Sequence, residues 1–311
     1  MQISVDSPLR TRLMAWAAER FPLVNGILCL ALYAAALSCG RAQAAALAHD
    51  RIALSWIDLV GFFAAYGFLL MLRVFDEHKD FALDSQNHPQ RVLQRGLITL
   101  NHLKVLGGLA IALQVGTSLL MDHGVGVITQ RFLLMFVWTC LMAKEFFIGE
   151  WLSKRLVLYA ISHMVAMPMA LLWLAQMGAG SAPLPKSAYL LAVLSLLSGF
   201  CFEIGRKTWA PEQERPTVDS YSKIMGIGNA VLVLILLSLG TTGLLFFMLP
   251  GPYCFASLAL EVPVLIALRQ FARTPTEKGA KQNQVVFGLQ SLGAYLLIAA
   301  TFLLSRGITW R

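Results

Sequence analysis

The sequence predicts an all-α integral membrane protein, built as a bundle of about nine transmembrane helices. Hydrophobic residues make up 57% of the 311 residues and charged residues only 14%, against about 25% in soluble domains. Apolar stretches of about 20 residues, the length that crosses a bilayer as a helix, recur along the whole chain. No linker rich in proline, glycine or serine separates them, so we expect residues 1–311 to form a single domain.

Nine apolar stretches define the predicted spans in order. The first follows a polar segment without a small-residue cleavage site, so it is expected to be a retained helix and not a signal peptide. The seventh and eighth are separated only by a Leu-Pro-Gly-Pro turn, a sequence that ends helices. The predicted limits are 22–39, 53–75, 97–120, 127–147, 156–177, 187–205, 223–249, 252–271 and 284–305.

The distribution of basic residues predicts the orientation in the membrane. With the N-terminus in the cytoplasm, the N-terminal tail and the loops after even-numbered spans carry 19 of the 25 Lys and Arg residues. This is the positive-inside pattern, and we expect these segments to face the cytoplasm of a bacterium, from its inner membrane. The net charge of +8 is spread over five segments, which argues against nucleic-acid binding. The five cysteines stand singly, which argues against a zinc site and against disulfides.

The first charged window, residues 73–96, interrupts the apolar pattern with four acids and four bases. Asp76, Asp80 and Asp84 repeat every four residues, with Glu77 beside the first. If the preceding helix continues, the three aspartates share one face, where like charges repel one another. Such a ladder indicates a bound cation, and oxygen ligands favour Mg²⁺ where phosphate completes its shell. The alternative is a solvated loop whose charges pair with each other.

The second charged window, residues 203–223, also holds four acids and four bases. Both windows follow even-numbered spans, so they are predicted to lie on the same side of the membrane. Two such loops over one mouth of a helical bundle suit a polyanionic ligand. Carboxylates would hold a metal that binds phosphate oxygens, and Lys and Arg would neutralise the remaining charge. Ordinary solvated loops are again the alternative.

The first window resembles the first aspartate-rich motif of the UbiA-type intramembrane prenyltransferases. That motif is N-D-x-x-D-x-x-x-D, followed by R-P-L-x-x-G. Asp76 stands at the Asn position, Glu77 at the first Asp, and Asp80 and Asp84 at the next two. Residues 91–96, Arg-Val-Leu-Gln-Arg-Gly, fill the second stretch with valine in place of proline. Nine spans with a cytoplasmic site also suit that family.

The second window departs from the family pattern. The family has two aspartates four residues apart, as D-x-x-x-D, whereas here Glu203 is followed by Lys207. Glu212, Glu214 and Asp219 are the candidates for the missing ligand. This charge reversal leaves the number of bound metal ions open.

The resemblance implies Mg²⁺-dependent transfer of a prenyl group from an isoprenoid diphosphate to an aromatic or other electron-rich, lipophilic acceptor, among membrane lipids. It implies catalytic roles for Asp76, Asp80, Asp84 and Glu203; metal ligands Asp76, Glu77, Asp80, Asp84, Glu203 and Asp219; and diphosphate contacts from Lys79, Arg91, Arg95, Lys144, Arg206 and Lys207.

Two other functions are compatible with the sequence. A terpene cyclase on the same scaffold would use an alkene of the donor itself as the nucleophile. A cation transporter would need ionisable groups along a path through the membrane. His163 and Glu261 are the only ionisable residues predicted to lie deep in the spans, and the acids gather on one face. The transporter is therefore the less favoured hypothesis.

Overall fold

The structure, a computed structural model, describes residues 3–215 and 219–310, so residues 216–218 of the second charged window lie outside the described part. The chain is helical almost throughout. The α-helices are α1 (Leu9–Arg20), α2 (Asn25–Ala48), α3 (Trp56–Lys79), α4 (Phe81–Asn87), α5 (Leu100–Met121), α6 (Val127–Ala143), α7 (Gly149–Ser153), α8 (Leu156–Met164), α9 (Ala166–Ala179), α10 (Lys186–Arg206), α11 (Tyr221–Met248), α12 (Phe255–Arg273) and α13 (Glu277–Arg306). Two short strands, β1 (Ile52–Leu54) and β2 (Ile308–Trp310), pair in parallel.

The predicted membrane bundle is confirmed. Within the described ranges, eight helical segments are long and apolar enough to cross a membrane, with α8 and α9 counted as one. The remaining predicted span, the fourth (127–147), is α6, which has 17 residues and is about 25 Å long at 1.5 Å per residue. It ends at Ala143 and not at the predicted 147, because Glu145–Phe147 form a separate tight turn. The chain is an integral membrane protein.

Helix α2 lies at the centre of the bundle and packs against α9, α13, α3 and α10. It continues to Ala48, nine residues beyond the predicted limit of 39. The hydropathy pattern ends early because Arg41 interrupts it, but Arg41 forms a 2.6 Å ion pair with Asp58 of α3. A neutralised arginine near the helix end can be accommodated where an unpaired one would be costly.

Two glycines allow α2 and α9 to approach closely. A Cβ atom on Gly40 of α2 would collide with the carbonyl oxygen of Ala175. A Cβ atom on Gly178 of α9 would likewise collide with the carbonyl oxygen of Leu37. Helices in lipid associate largely through such close van der Waals contact between small residues.

Helix α1 was not predicted from the hydropathy pattern, because it is too short and too polar to span a membrane. It lies against the chain just before α5, and Trp16 is 2% exposed in a cluster with Val92, Leu93 and Ile98. The guanidinium of Arg12 donates a 2.8 Å hydrogen bond to the carbonyl oxygen of Leu97. The N-terminal segment is therefore docked against the first charged window.

Glu261 is buried between α11, α12 and α13. Its Oε2 atom accepts hydrogen bonds from Ser238, Thr242 and Gln290 at 2.7–2.8 Å. Interhelical hydrogen bonds of this kind hold membrane helices together. The structure therefore gives Glu261 a packing role between helices.

We predict that Gly40→Ala destabilises the protein whereas Gly116→Ala does not. The added methyl at position 40 forces α2 and α9 apart, at about 1–3 kcal/mol for overpacking. Gly116 lies in α5 with open space around its Cα, and alanine favours a helix there by up to about 1 kcal/mol. Unfolding in mixed detergent micelles, followed by circular dichroism, measures both. Equal stabilities for the two variants would contradict the close crossing of α2 and α9.

Candidate functional site

The aspartate ladder lies where α3 passes into α4. The amide of Asp80 donates to the carbonyl oxygen of Asp76, and the amide of Asp84 donates to that of Asp80, both at 2.8 Å. The helical hydrogen-bond pattern thus continues across the junction, as the ladder required. The three aspartates follow one another at single-turn intervals.

Two of the four carboxylates in the motif are held in ion pairs. Glu77 is 1% exposed and lies 2.6 Å from Nε of Arg20 in α1. Asp84 lies 2.6 Å from Nη1 of Arg91 and 3.6 Å from Nη2 of Arg20. The amide of Val92 donates to Glu19 of α1 at 3.1 Å. These contacts attach α1 to both ends of the first charged window.

Asp76 and Asp80 are held less tightly. Asp76 is 3.8 Å from Arg73, at the limit of an ion pair. Burial raises the pKa of the Asp80 carboxyl, the Lys79 ammonium lowers it, and the Asp84 and Glu145 carboxylates raise it. In the described ranges no three His, Cys, Asp or Glu side chains form a preassembled metal site. Mg²⁺, however, commonly binds through one or two carboxylates plus substrate phosphates, and two neighbouring carboxylates fit that requirement.

Lys79 brings a second group of residues to the ladder. Its Nζ atom donates a 2.9 Å hydrogen bond to the Tyr159 hydroxyl and lies 3.6 Å from Glu145. The Tyr159 ring stacks on His163 at 4.0 Å between ring centroids. His163 is therefore a packing partner of Tyr159. Sequence reasoning assigned no site role to Tyr159 or Glu145, because Tyr159 stands in an apolar stretch and Glu145 is explained as the neighbour of Lys144 at the end of a predicted span.

The acids of the second window are each engaged nearby. Glu203 lies 2.7 Å from Arg206 and 2.9 Å from Lys207. Glu214 accepts 2.7 Å hydrogen bonds from Ser220 and Ser222. The remaining acids sit elsewhere in the loop: Glu212 accepts from the amide of Glu277 at 2.8 Å, and Asp219 is exposed, 4.0 Å from Lys223.

The two windows meet at one cavity of about 740 Å³, which we call the polar cavity. Its walls include side chains from the first window, from α8 and from the second window. They are Leu83, Glu145, Ser153, Lys154, Arg155, Leu156, Val157, Leu158, Tyr159, Lys207, Asp219, Tyr221, Ile224 and Met225. The prediction that the two charged windows lie over one mouth of the bundle agrees with this cavity.

A smaller cavity of about 340 Å³, the apolar slot, is bordered by Asp76, the first aspartate of the ladder. Arg73 and Asp76 form its charged end, and apolar side chains of α2, α3, α9 and α10 form the rest. The lining is Phe21, Asn25, Leu28, Cys29, Leu32, Leu69, Leu72, Arg73, Asp76, Met167 and Phe202. Two charged side chains line the slot and five line the polar cavity, while apolar surface is the larger part of both walls.

Only some of the basic residues predicted to contact diphosphate lie at or near the polar cavity. Lys79 adjoins the polar cavity through its partners, and Lys207 lines it. Arg91 is engaged by Asp84, and Arg206 is largely exposed beside Glu203. The other two lie apart: Arg95 donates to the carbonyl oxygen of Ile3 at 3.4 Å, and Lys144 is exposed at the end of α6.

We predict that Arg20→Met is strongly destabilising and that adding Glu77→Leu restores most of the loss. The single change leaves a buried carboxylate without its cation, which costs about 3–5 kcal/mol, whereas replacing both partners with apolar residues is often neutral. Arg10→Met, at an exposed site of α1, is the matched control. Thermal melting in detergent compares the four proteins. A double variant no more stable than the single one would contradict this account.

Comparison with known proteins identifies the fold. No family profile and no curated protein sequence matches the chain. The structure of a digeranylgeranylglyceryl phosphate synthase is similar, with a TM-score of 0.62 and 16% identity over 94% of this chain and 99% of that one. A UbiA homolog from Aeropyrum pernix K1 has a TM-score of 0.62 and 12% identity, over 91% and 98% of the two chains. The chain therefore has the fold of the UbiA-type membrane prenyltransferases.

Proposed function

We propose that this protein transfers a prenyl group from an isoprenoid diphosphate to an electron-rich, lipophilic acceptor within the membrane. One observation carries the proposal: the segment from Asp76 to Lys79 reaches two largely apolar cavities, each of which has charged side chains in its wall. Asp76 lines the apolar slot, and the partners of Lys79 line the polar cavity. A donor with an apolar chain and a charged head needs apolar space beside acidic and basic groups.

Asp76 and Asp80 are the proposed metal ligands. Glu77 and Asp84, which the motif also suggested, are already neutralised by Arg20 and Arg91. When bound, Mg²⁺ would supply a Lewis acid that stabilises the charge developing on the departing diphosphate. The protein's own contribution is to hold two carboxylates one helical turn apart at the edge of the bundle.

Basic residues at the polar cavity support the diphosphate. Lys79 offers an ammonium group whose present partners are a tyrosine hydroxyl and a carboxylate at 3.6 Å. Lys207 is held by Glu203 at 2.9 Å and lines the cavity. We therefore assign Glu203 to positioning Lys207 and not to binding metal. Ammonium groups aimed at the leaving group lower the barrier to ionisation.

The two cavities assign places to the prenyl chain and to the acceptor. The apolar slot, next to Asp76, would hold the chain and exclude the water that would quench an allylic cation. The polar cavity has a volume of about 740 Å³ and offers the rings of Tyr159 and Tyr221 to an acceptor. Space for a second substrate favours the transferase over the cyclase. One of the proteins with a similar structure is described as a digeranylgeranylglyceryl phosphate synthase in membranes.

We predict that Asp80→Asn lowers the rate of Mg²⁺-dependent pyrophosphate release by at least about 100-fold, because it removes a charged ligand at the leaving group. Purified protein in lipid nanodiscs would be supplied with geranyl, farnesyl and geranylgeranyl diphosphate, with and without aromatic acceptors. Glu150→Gln changes an exposed acid on the same side of the membrane and should leave the rate unchanged.

The dependence on the acceptor separates the two reactions. Release that requires an acceptor, with a prenylated product, supports transfer. A cyclic hydrocarbon or alcohol formed from the donor alone would replace transfer with cyclisation. Full activity of the Asp80→Asn protein would refute the site as assigned.

A further inference from the structure

Glu145 is the one acid at the polar cavity that is held loosely by more than one partner. Its Oε1 atom lies 3.6 Å from Nζ of Lys79 and accepts a 3.5 Å hydrogen bond from Tyr159. Both distances are long for interactions with a charged group, whose hydrogen bonds are usually 2.7–2.9 Å. Glu77, Asp84 and Glu203, in contrast, each have a basic partner within 2.7 Å.

The backbone that carries Glu145 is in an unusual conformation. Glu145, Phe146 and Phe147 have φ angles of 48°, 54° and 59°. Residues other than glycine rarely adopt such angles, and three in succession are costly. The turn is supported by Phe146, whose ring packs against Trp138 at 5.2 Å and His163 at 6.4 Å. Strain of this kind is typical of segments that change conformation during function.

Charge complementarity explains what Glu145 does before a substrate arrives. Lys79 is partly buried, so its ammonium needs a counter-ion before a donor binds. A diphosphate carries more negative charge than one carboxylate and would replace Glu145 on Lys79. Glu145 would then be free, with its side chain at the wall of the cavity assigned to the acceptor.

We infer that Glu145 is a second catalytic carboxylate: it pairs with Lys79 before the donor binds, is displaced by the donor diphosphate, and then accepts the proton that the acceptor loses. This inference rests on the proposed function. In the reaction, the nucleophilic atom of the acceptor bonds to C1 of the prenyl group. The C1–O bond breaks, and its electron pair leaves with the diphosphate. The proton from the nucleophilic atom passes to the Glu145 carboxylate.

The adjoining glycine provides a way to move the carboxylate without removing it. A Cβ atom on Gly149 would collide with the Glu145 carboxylate. Gly149→Ala would therefore push the carboxylate away from Lys79 while the charge is kept. Because the atom in collision is the end of a flexible side chain, this substitution is expected to fold. Glu150→Gln is the matched control, an exposed acid in the same short helix as Gly149.

The first measurement is the binding of inorganic pyrophosphate, with Mg²⁺, to the wild-type protein and the three variants in nanodiscs. Glu145→Gln and Gly149→Ala remove the competing anion from Lys79 and should bind pyrophosphate about tenfold more tightly. Glu150→Gln should bind as the wild type does. Equal affinities in the wild type and both test variants would overturn the counter-ion role.

The second measurement is single-turnover transfer with saturating donor and acceptor. Loss of a general base should slow Glu145→Gln by about 10²- to 10⁴-fold, although this variant binds pyrophosphate more tightly. A purely structural role would weaken binding and rate together. Transfer by Glu145→Gln at the wild-type rate would overturn the base role and leave the proposed function intact. A wild-type protein that releases pyrophosphate from no donor would instead refute the proposed function and the base role with it, while the binding data still decide the counter-ion role.

Discussion

The ion pair between Arg20 and Glu77 organises the charged mouth of the bundle. A carboxylate buried at 1% exposure needs a cation, and the N-terminal helix α1 brings Arg20 to it. Because Arg20 also reaches Asp84, the same contact secures α4. Two of the four motif carboxylates are thereby neutralised. The remaining pair, Asp76 and Asp80, is left available, so the composition of the candidate site is a consequence of how α1 docks.

The cost of placing charge in a bilayer explains where the polar chemistry can occur. Away from the mouth, two ionisable side chains of the spans have polar partners on neighbouring helices: Arg41 pairs with Asp58, and Glu261 accepts hydrogen bonds from Gln290 and two hydroxyl groups. Such pairs allow helices to carry ionisable residues without opening the bundle to water. Loosely held charge is found instead around Lys79 and Glu145, where the two cavities adjoin the aspartate ladder.

The sequence alone was enough to predict the membrane spans and the helical course of the chain through Asp76, Asp80 and Asp84, because both depend on local periodicity. Hydropathy over about 20 residues reports a membrane helix directly. The ion pair between Glu203 and Lys207 was not predicted, although their i, i+4 spacing on a helix permits it. The partners of Glu77 and Lys79 could not be predicted from local periodicity. They lie 57 and 80 residues away in the sequence, and no local pattern indicates which distant side chain folding will bring into contact.

Two departures from the motif gain a common explanation. Glu77, which stands where the family has aspartate, extends to Arg20, and Lys207, which stands where the family has a second aspartate, binds Glu203. At each of these two motif positions, the residue present in this chain is one partner of an ion pair. Asp76 is a departure of the opposite kind, because it adds a carboxylate where the family has asparagine. The changes together leave Asp76 and Asp80 as the motif carboxylates with the weakest ion pairing, which is why we propose these two as the Mg²⁺ ligands.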